Sequence, residues 1–229
     1  MKGKLYGVGV GCGDPELMTL KAVRIIKEND IIAAAGKEPE KSAAYKIAVQ
    51  VIPELSEKKI TAINMPMTKD RNVIGQAHKE GAKTIEKYLE SGKNVVYITL
   101  GDPTVYSTFS YIEKIVSSDG YETEYVSGIT SFCMAAAKFC VPLCEWDEEV
   151  CIMPSVHSAN DIDFKNRNYV LMKCGKKLKD IKEIFCDKGY ELYMAENCGM
   201  SGEKIYRGIE EIPDETGYFS TIIAKNTEE

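Results

Sequence analysis

Val95-Val96-Tyr97-Ile98-Thr99-Leu100-Gly101-Asp102-Pro103-Thr104-Val105-Tyr106 is an apolar run that stops abruptly at glycine, aspartate and proline. A short apolar run bounded by turn residues reads as a buried strand. Gly-Asp-Pro reads as a turn that opens into a helix. The same pattern stands near the N-terminus, where Leu5-Tyr6-Gly7-Val8-Gly9-Val10 leads into Gly13-Asp14-Pro15. In an open α/β sheet, ligands bind in the loops at the carboxyl ends of the strands. Two such turns of matching composition on one sheet outline a crevice for a small molecule.

Strand and helix signals alternate outward from these two turns. The first part of the chain predicts strands at 5–10, 30–34, 59–64, 95–100 and 122–126. Helices are predicted near 20–28, 42–49, 73–91, 108–117 and 132–139. Thr19 is placed to cap the first helix, and Ser91-Gly92 closes the third. This βαβ rhythm implies a mostly parallel five-stranded sheet. From Pro142 to Asp147 the periodicity disappears, as in a linker. Strands follow at 150–153, 169–173, 191–195, 204–207 and 218–224, with a helix over 178–188 stopped by Gly189. The expectation is two α/β domains, 1–141 and 148–229, the second with a mixed sheet.

The chain has 229 residues, 44% hydrophobic and 28% charged, with a net charge of −6. That balance, without a long basic run, argues against nucleic-acid binding by bulk electrostatics. No apolar stretch approaches the roughly 20 residues that span a bilayer. The N-terminus runs straight into a strand without a signal-peptide pattern. A cytoplasmic protein without a membrane partner is expected. The eight cysteines are Cys12, Cys133, Cys140, Cys144, Cys151, Cys174, Cys186 and Cys198. None forms a C-x-x-C pair, and His78 and His157 sit in no ligand-like spacing, so no metal site is expected. Most of these cysteines lie in apolar segments, where a reduced thiol behaves as a small hydrophobe.

Several reaction classes fail on spacing. From Gly7, Gly9 or Gly11, the dinucleotide fingerprint G-x-G-x-x-G needs glycine where Cys12, Asp14 and Glu16 stand. The P-loop and G-x-S-x-G patterns are missing, and neither histidine sits where a catalytic triad would need it. What remains are glycine turns, small hydroxyls (Thr104, Ser107, Thr108, Thr130, Ser131) and an acid at a strand end. Such parts hold a ligand more readily than they activate a nucleophile. They suit a reaction whose reagent is already reactive, such as a sulfonium methyl donor, for which alignment and exclusion of water suffice.

Three segments carry a resemblance: Gly7 through Ala22, Leu100 through Phe109, and Ser127-Gly128-Ile129-Thr130-Ser131-Phe132. On these the chain resembles the tetrapyrrole (precorrin/corrin) methylase family. Tyr106-Ser107-Thr108-Phe109, Met65-Pro66-Met67-Thr68-Lys69-Asp70 and Tyr218-Phe219-Ser220 liken it most to the members that methylate C20 of precorrin-2 or cobalt-factor II in cobalamin biosynthesis. The resemblance implies S-adenosyl-L-methionine as methyl donor in a ligand cleft between the two domains, a trough for the tetrapyrrole on the first domain, and a homodimer. Carried over residue by residue, it assigns Cys12, Asp102, Val105, Thr130 and Ser131 to the donor site. Met172, Cys198 and Ser220 match looser positions in the second domain. Asp102 and Asp14 each have a second reading as helix caps, as do Thr130 and Ser131. Met172 and Val105 would be core residues on apolar pattern alone.

The implied reaction is attack of the C20 carbon on the donor methyl, followed by loss of the C20 proton. Asp102 and Tyr106 are the candidate catalytic residues for that proton. A substrate bearing carboxylate arms needs local cations on an acidic protein, with Lys21, Arg24, Lys69 and Arg71 as candidates. The alternatives are a sister enzyme acting on another corrin position or a different substrate, and, further off, a dinucleotide oxidoreductase or a cysteine-based metal or redox module.

Overall fold

The computed structural model describes residues 1–154 and 162–227, and the chain divides into two units, Met1–Thr130 and Ser131–Glu229. In the first, β1 (Lys4–Gly9), α1 (Leu20–Glu28), β2 (Ile31–Ala35), α2 (Ala43–Val51), β3 (Lys59–Ile63), α3 (Arg71–Glu90), β4 (Val95–Thr99), α4 (Phe109–Ser118) and β5 (Glu122–Val126) alternate. The strands pair in the order β3-β2-β4-β1-β5, and every pairing is parallel. Ile31, Ala33, Val95 and Tyr97 face one side of this sheet. Ile32, Ala34, Val96 and Ile98 face the other, and all are buried. Burial on both faces is why these strands read as continuous apolar runs.

On one face α3 and α4 supply Ala82, Ile85, Leu89, Phe109, Ile112 and Val116 to a core shared with Leu5, Ile63, Val95 and Tyr97. The path β1-β2-β3 advances toward one edge and β3-β4-β5 toward the other. Right-handed crossovers therefore put α1 and α2 on the opposite face. Side-chain caps start the helices, at Thr19 as the sequence predicts and two residues ahead of the predicted start for α3. Thr19 Oγ1 accepts from Ala22 N at 3.2 Å, Ser42 Oγ from Tyr45 N at 3.2 Å, and Asp70 Oδ1 from Asn72 N at 2.8 Å.

The second unit holds α5 (Ser131–Phe139), β6 (Val150–Met153), β7 (Asn168–Met172), α6 (Leu178–Asp187), β8 (Tyr190–Glu196), β9 (Lys204–Arg207) and β10 (Ser220–Asn226). The sheet order is β6-β7-β10-β8-β9; β6 and β7 are parallel and the other pairs antiparallel, so the sheet is mixed. Leu178, Ile181 and Phe185 of α6 pack against Tyr169, Leu171, Leu192 and Met194. Phe185 meets the rings of Phe164 and Tyr190 edge-on at 5.0 and 5.1 Å, the geometry aromatic quadrupoles favour.

The division between Thr130 and Ser131 falls ahead of the domain end expected at 141. Phe139 of α5 packs on Tyr193 of β8 at 5.3 Å. Arg207 of β9 donates to the Phe139 and Lys138 carbonyls at 2.9 and 3.3 Å, closing the C-terminus of α5. The alanine-rich helix therefore belongs with the second sheet. The structure also adds single 3-10 turns that the sequence reading leaves as loops, among them Pro15–Leu17, Pro39–Lys41 and Pro53–Glu57. Each begins with proline, whose fixed φ suits a first helical position.

On β5, Glu124 bridges two lysines, with Oε2 2.8 Å from Lys4 Nζ and Oε1 2.7 Å from Lys21 Nζ. The hydrogen bonds from Lys21 and Lys4 hold its carboxyl down to about 2 from an ordinary 4.5. A depressed carboxyl contributes stability that is complete above the unfolded value and lost as pH falls through the folded one. Glu124→Gln is therefore expected to be less stable than wild type at pH 7. The gap should close between pH 4.5 and 2, as read by denaturant midpoints across that range.

Candidate functional site

β1 and β4 are neighbours whose outgoing chains leave in opposite directions, to α1 and α4, which makes their carboxyl ends the switch point of the first sheet. The two glycine turns meet there. Gly101 N donates to the Gly11 carbonyl at 2.7 Å and Gly11 N to the Gly101 carbonyl at 3.3 Å. Both glycines have positive φ, +75° and +71°, a region side chains with a Cβ avoid. The turn after β5 closes on the same point. A Cβ on Gly128 would lie 2.3 Å from the Gly101 carbonyl oxygen, and one on Gly9 2.4 Å from it. Three backbones thus converge on one carbonyl at distances only glycine permits.

Asp102 ties this junction together. Its carboxylate is buried, 8% exposed; Oδ2 accepts from Gly128 N at 2.9 Å and Oδ1 from Thr104 N at 2.7 Å and the Thr104 hydroxyl. It does not cap α4. Ser107 does, its Oγ accepting from Phe109 N at 3.2 Å. Asp14, in contrast, takes the capping reading, with Oδ1 accepting from Glu16 N at 2.9 Å at the head of the 3-10 turn.

The other residues assigned from sequence fall into two groups, one in each unit. Beside the junction are Cys12, buried, and Val105, half-buried. Tyr106 is 53% exposed and has φ +49°, a conformation that is strained for a bulky residue. Thr130 Oγ1 is buried and has no partner among the described residues, so Thr130 does not cap α5. In the second unit, Met172 ends β7 opposite Thr221 of β10, Ser220 begins β10, and Cys198 follows β8. These lie at one end of the second sheet. Ser220 Oγ is likewise buried without a partner, and Ser131 Oγ accepts from Thr221 Oγ1 at 3.2 Å.

Sequence reasoning missed Lys173 at this end of the sheet. It adopts φ +58°, donates its N–H to the Ser220 carbonyl at 3.1 Å, and sets its ammonium 5.1 Å from the Tyr218 ring centroid. The only sequence signal for the pair was Tyr218-Phe219-Ser220. Of the suggested cations, Lys21 is held by Glu124 and Arg24 by Glu28 at 2.9 Å; Lys69 and Arg71 are exposed. His78 is half-buried, and His157 lies outside the described residues. Among the described residues no group of three histidine, cysteine or acidic side chains could hold a metal ion. Burial pushes the thiol of Cys198 to about 11, with Glu203 adding to it, and that of Cys174 to about 12.

Two predictions follow from this geometry. Asp102→Asn turns an amide N–H₂ or a weaker acceptor toward Gly128 N and Thr104, and should cost about 2–3 kcal/mol in chemical denaturation. At neutral pH, brief iodoacetamide treatment of the folded protein should label the exposed Cys133, Cys140, Cys144 and Cys186. Mass mapping should find Cys12, Cys174 and Cys198 spared, because all three are buried and burial keeps Cys174 and Cys198 protonated, which makes them poor nucleophiles.

A family described as tetrapyrrole (corrin/porphyrin) methylases matches residues 4–212. A probable cobalt-precorrin-2 C(20)-methyltransferase of Methanocaldococcus jannaschii is 35% identical over 90% of this chain and 87% of its own. The cobalt-precorrin-2 C(20)-methyltransferase of Salmonella typhimurium is 31% identical over 97% of this chain and 96% of its own. Among solved structures, the uroporphyrin-III C-methyltransferase of Thermus thermophilus complexed with S-adenosylhomocysteine superposes with a TM-score of 0.66, at 18% identity, covering 97% of each chain. With a switch point built from paired Gly-Asp-Pro turns and a match over nearly all its length, this chain belongs to the tetrapyrrole methylases.

Proposed function

We propose that the protein transfers a methyl group from S-adenosylmethionine to C20 of cobalt-precorrin-2 or precorrin-2, a step of cobalamin biosynthesis. One observation carries this reading: a glycine junction clamped by Asp102 at the sheet's switch point, in a chain whose relatives at 31–35% identity bear that activity in their names. The residues present fit such a donor. Thr130 Oγ1 and Ser220 Oγ are buried without partners, and buried polar atoms are rarely left so unless a ligand or water completes them. Backbone at Gly101 and Gly11 is unshielded by any side chain of its own, which allows close approach of a ligand.

When bound, S-adenosylmethionine supplies an electrophilic methyl group on a sulfonium, so the protein's task is alignment and exclusion of water. Asp102 acts on position, locking the turns after β4 and β5 together. Cys12, Val105, Thr130 and Ser131 are assigned to the donor. Met172, Cys198 and Ser220 of the second unit carry the same assignment. Tyr106, held exposed at positive φ beside the junction, is the candidate to relay the C20 proton, its hydroxyl oxygen accepting that proton as the hydroxyl passes its own to solvent water, since both oxygens of Asp102 are already engaged. The macrocycle trough is assigned to the first unit. A homodimer in the cytoplasm completes the reading, on the family resemblance. No helix among the described residues is long and apolar enough to cross a membrane.

Calorimetric titration with S-adenosylhomocysteine should show one site per chain, weakened in Asp102→Ala. Incubation with S-adenosylmethionine and precorrin-2, with and without cobalt, should yield a product heavier by one methyl group. No binding of S-adenosylhomocysteine, or no methylated macrocycle from either substrate, would overturn the proposal.

A further inference from the structure

The turn from β4 into α4 is held at both ends. Its first half is tied to the glycine junction. Asp102 Oδ1 accepts from Thr104 N at 2.7 Å, and the Asp102 carbonyl from Val105 N at 3.2 Å. Its second half is tied back to the strand it has just left. Thr99 Oγ1 hydrogen-bonds with Ser107 Oγ at 3.1 Å, and Tyr97 Oη with Thr108 Oγ1 at 3.3 Å. Residues 97 and 99 stand on one face of β4, as the pleat requires of positions two apart. Tyr106 is the one residue between the two sets of bonds.

Tyr106 takes φ +49° there. A bulky residue keeps that conformation only where its surroundings over-determine it, and such strain gathers at functional sites. Its side chain is exposed, so burial contributes little to fixing it. The hydroxyls on β4, in turn, serve no need of the core. Tyr97 is buried in the cluster beneath α3 and α4, its ring 5.5 Å from that of Phe109. Phenylalanine would fill the same volume and leave no polar atom to satisfy. Thr108 directly precedes α4 yet caps nothing with its side chain; Ser107 Oγ does so, accepting from Phe109 N. The two residues that follow Tyr106 are thus the two that β4 holds. Burial pushes the Tyr97 phenol above its ordinary value, so Tyr97 stays neutral and exchanges no proton with a substrate.

We propose that Tyr97 and Thr99 are positioning residues that act through Tyr106, fixing Ser107 and Thr108 so that the Tyr106 hydroxyl is held where it relays the C20 proton. In that step the C20–H bond breaks and its electron pair returns to the macrocycle. Tyr106 Oη takes the proton as the hydroxyl passes its own to water. This rests on the methyltransferase reading, with Tyr106 as the relay, and deepens it by naming what sets the pose of that side chain. A buried face of β4 thereby serves a reaction it does not touch.

Conservative variants test the assignment. Tyr97→Phe/Thr99→Val keeps both shapes and removes both hydroxyls. Its kcat with cobalt-precorrin-2 should fall about tenfold, with KM and S-adenosylhomocysteine affinity within about twofold of wild type. In a Tyr106→Phe background the same two changes should lower kcat no further, since no hydroxyl is left to position. Thr99→Ser, which keeps a hydroxyl, should recover the turnover that Thr99→Val loses. A purely structural role gives the same loss with or without the Tyr106 hydroxyl, or weakens donor and substrate binding together. Either result, or an unchanged kcat in Tyr97→Phe/Thr99→Val, overturns the proposal. Wild-type turnover in Tyr106→Phe overturns it through the relay. Absence of any methylated product from wild type overturns instead the reading beneath it.

Discussion

The carboxylate of Asp102 is the point on which the first unit's ligand-binding end depends. A parallel sheet leaves the loops at the carboxyl ends of its strands untied to one another, since each belongs to a different crossover. Asp102 joins two of them by accepting from Gly128 N on the turn after β5 while fixing its own turn through Thr104. The Gly11–Gly101 bridge adds the turn after β1. Removing the carboxylate would leave a buried N–H without a partner, at a cost comparable to a lost hydrogen bond. One acid thereby replaces the ladder that the strands themselves cannot extend.

That arrangement explains a chemistry with few catalytic groups. The residues around the junction are glycines, small hydroxyls and an acid whose oxygens are both in use. A site of this kind contributes geometry, which suffices when the reagent carries its own electrophile. The buried thiols fit the same picture: Cys174 and Cys198 are held protonated by burial and serve as small apolar volume.

Much of the architecture was legible in the residues because its signals are local. Glu122–Val126, Val150–Met153 and Lys204–Arg207 coincide with the strands the sequence predicts, α1 starts next to Thr19, the hydroxyl expected to cap it, and α2 and α3 begin within two residues of their predicted starts. What the residues did not disclose is long-range. Asp102 read as a ligand contact or a local cap, and its bond to Gly128 lies 26 positions away. The allegiance of α5 depends on Arg207, 68 positions downstream. Lys173 reaches Tyr218 only because its backbone turns left-handed at the end of β7. The 3-10 turns escaped for a different reason, being too short to show any period. The residues assigned by resemblance stand at the end of a sheet in each unit.

The position of β10 has a consequence for how the second unit is made. It lies between β7 and β8, bonded to both along most of its length, yet it is the last of the sheet's strands to be synthesised. Until it is in place, β6–β7 and β8–β9 are separate two-stranded ribbons, and ribbons of that size are marginal alone in water. Packing of α5 and α6 onto a finished surface must also wait for it. The second unit should thus acquire its structure in one late, cooperative event, whereas the first, whose strands all precede Ser131, can be complete while the rest is still being translated.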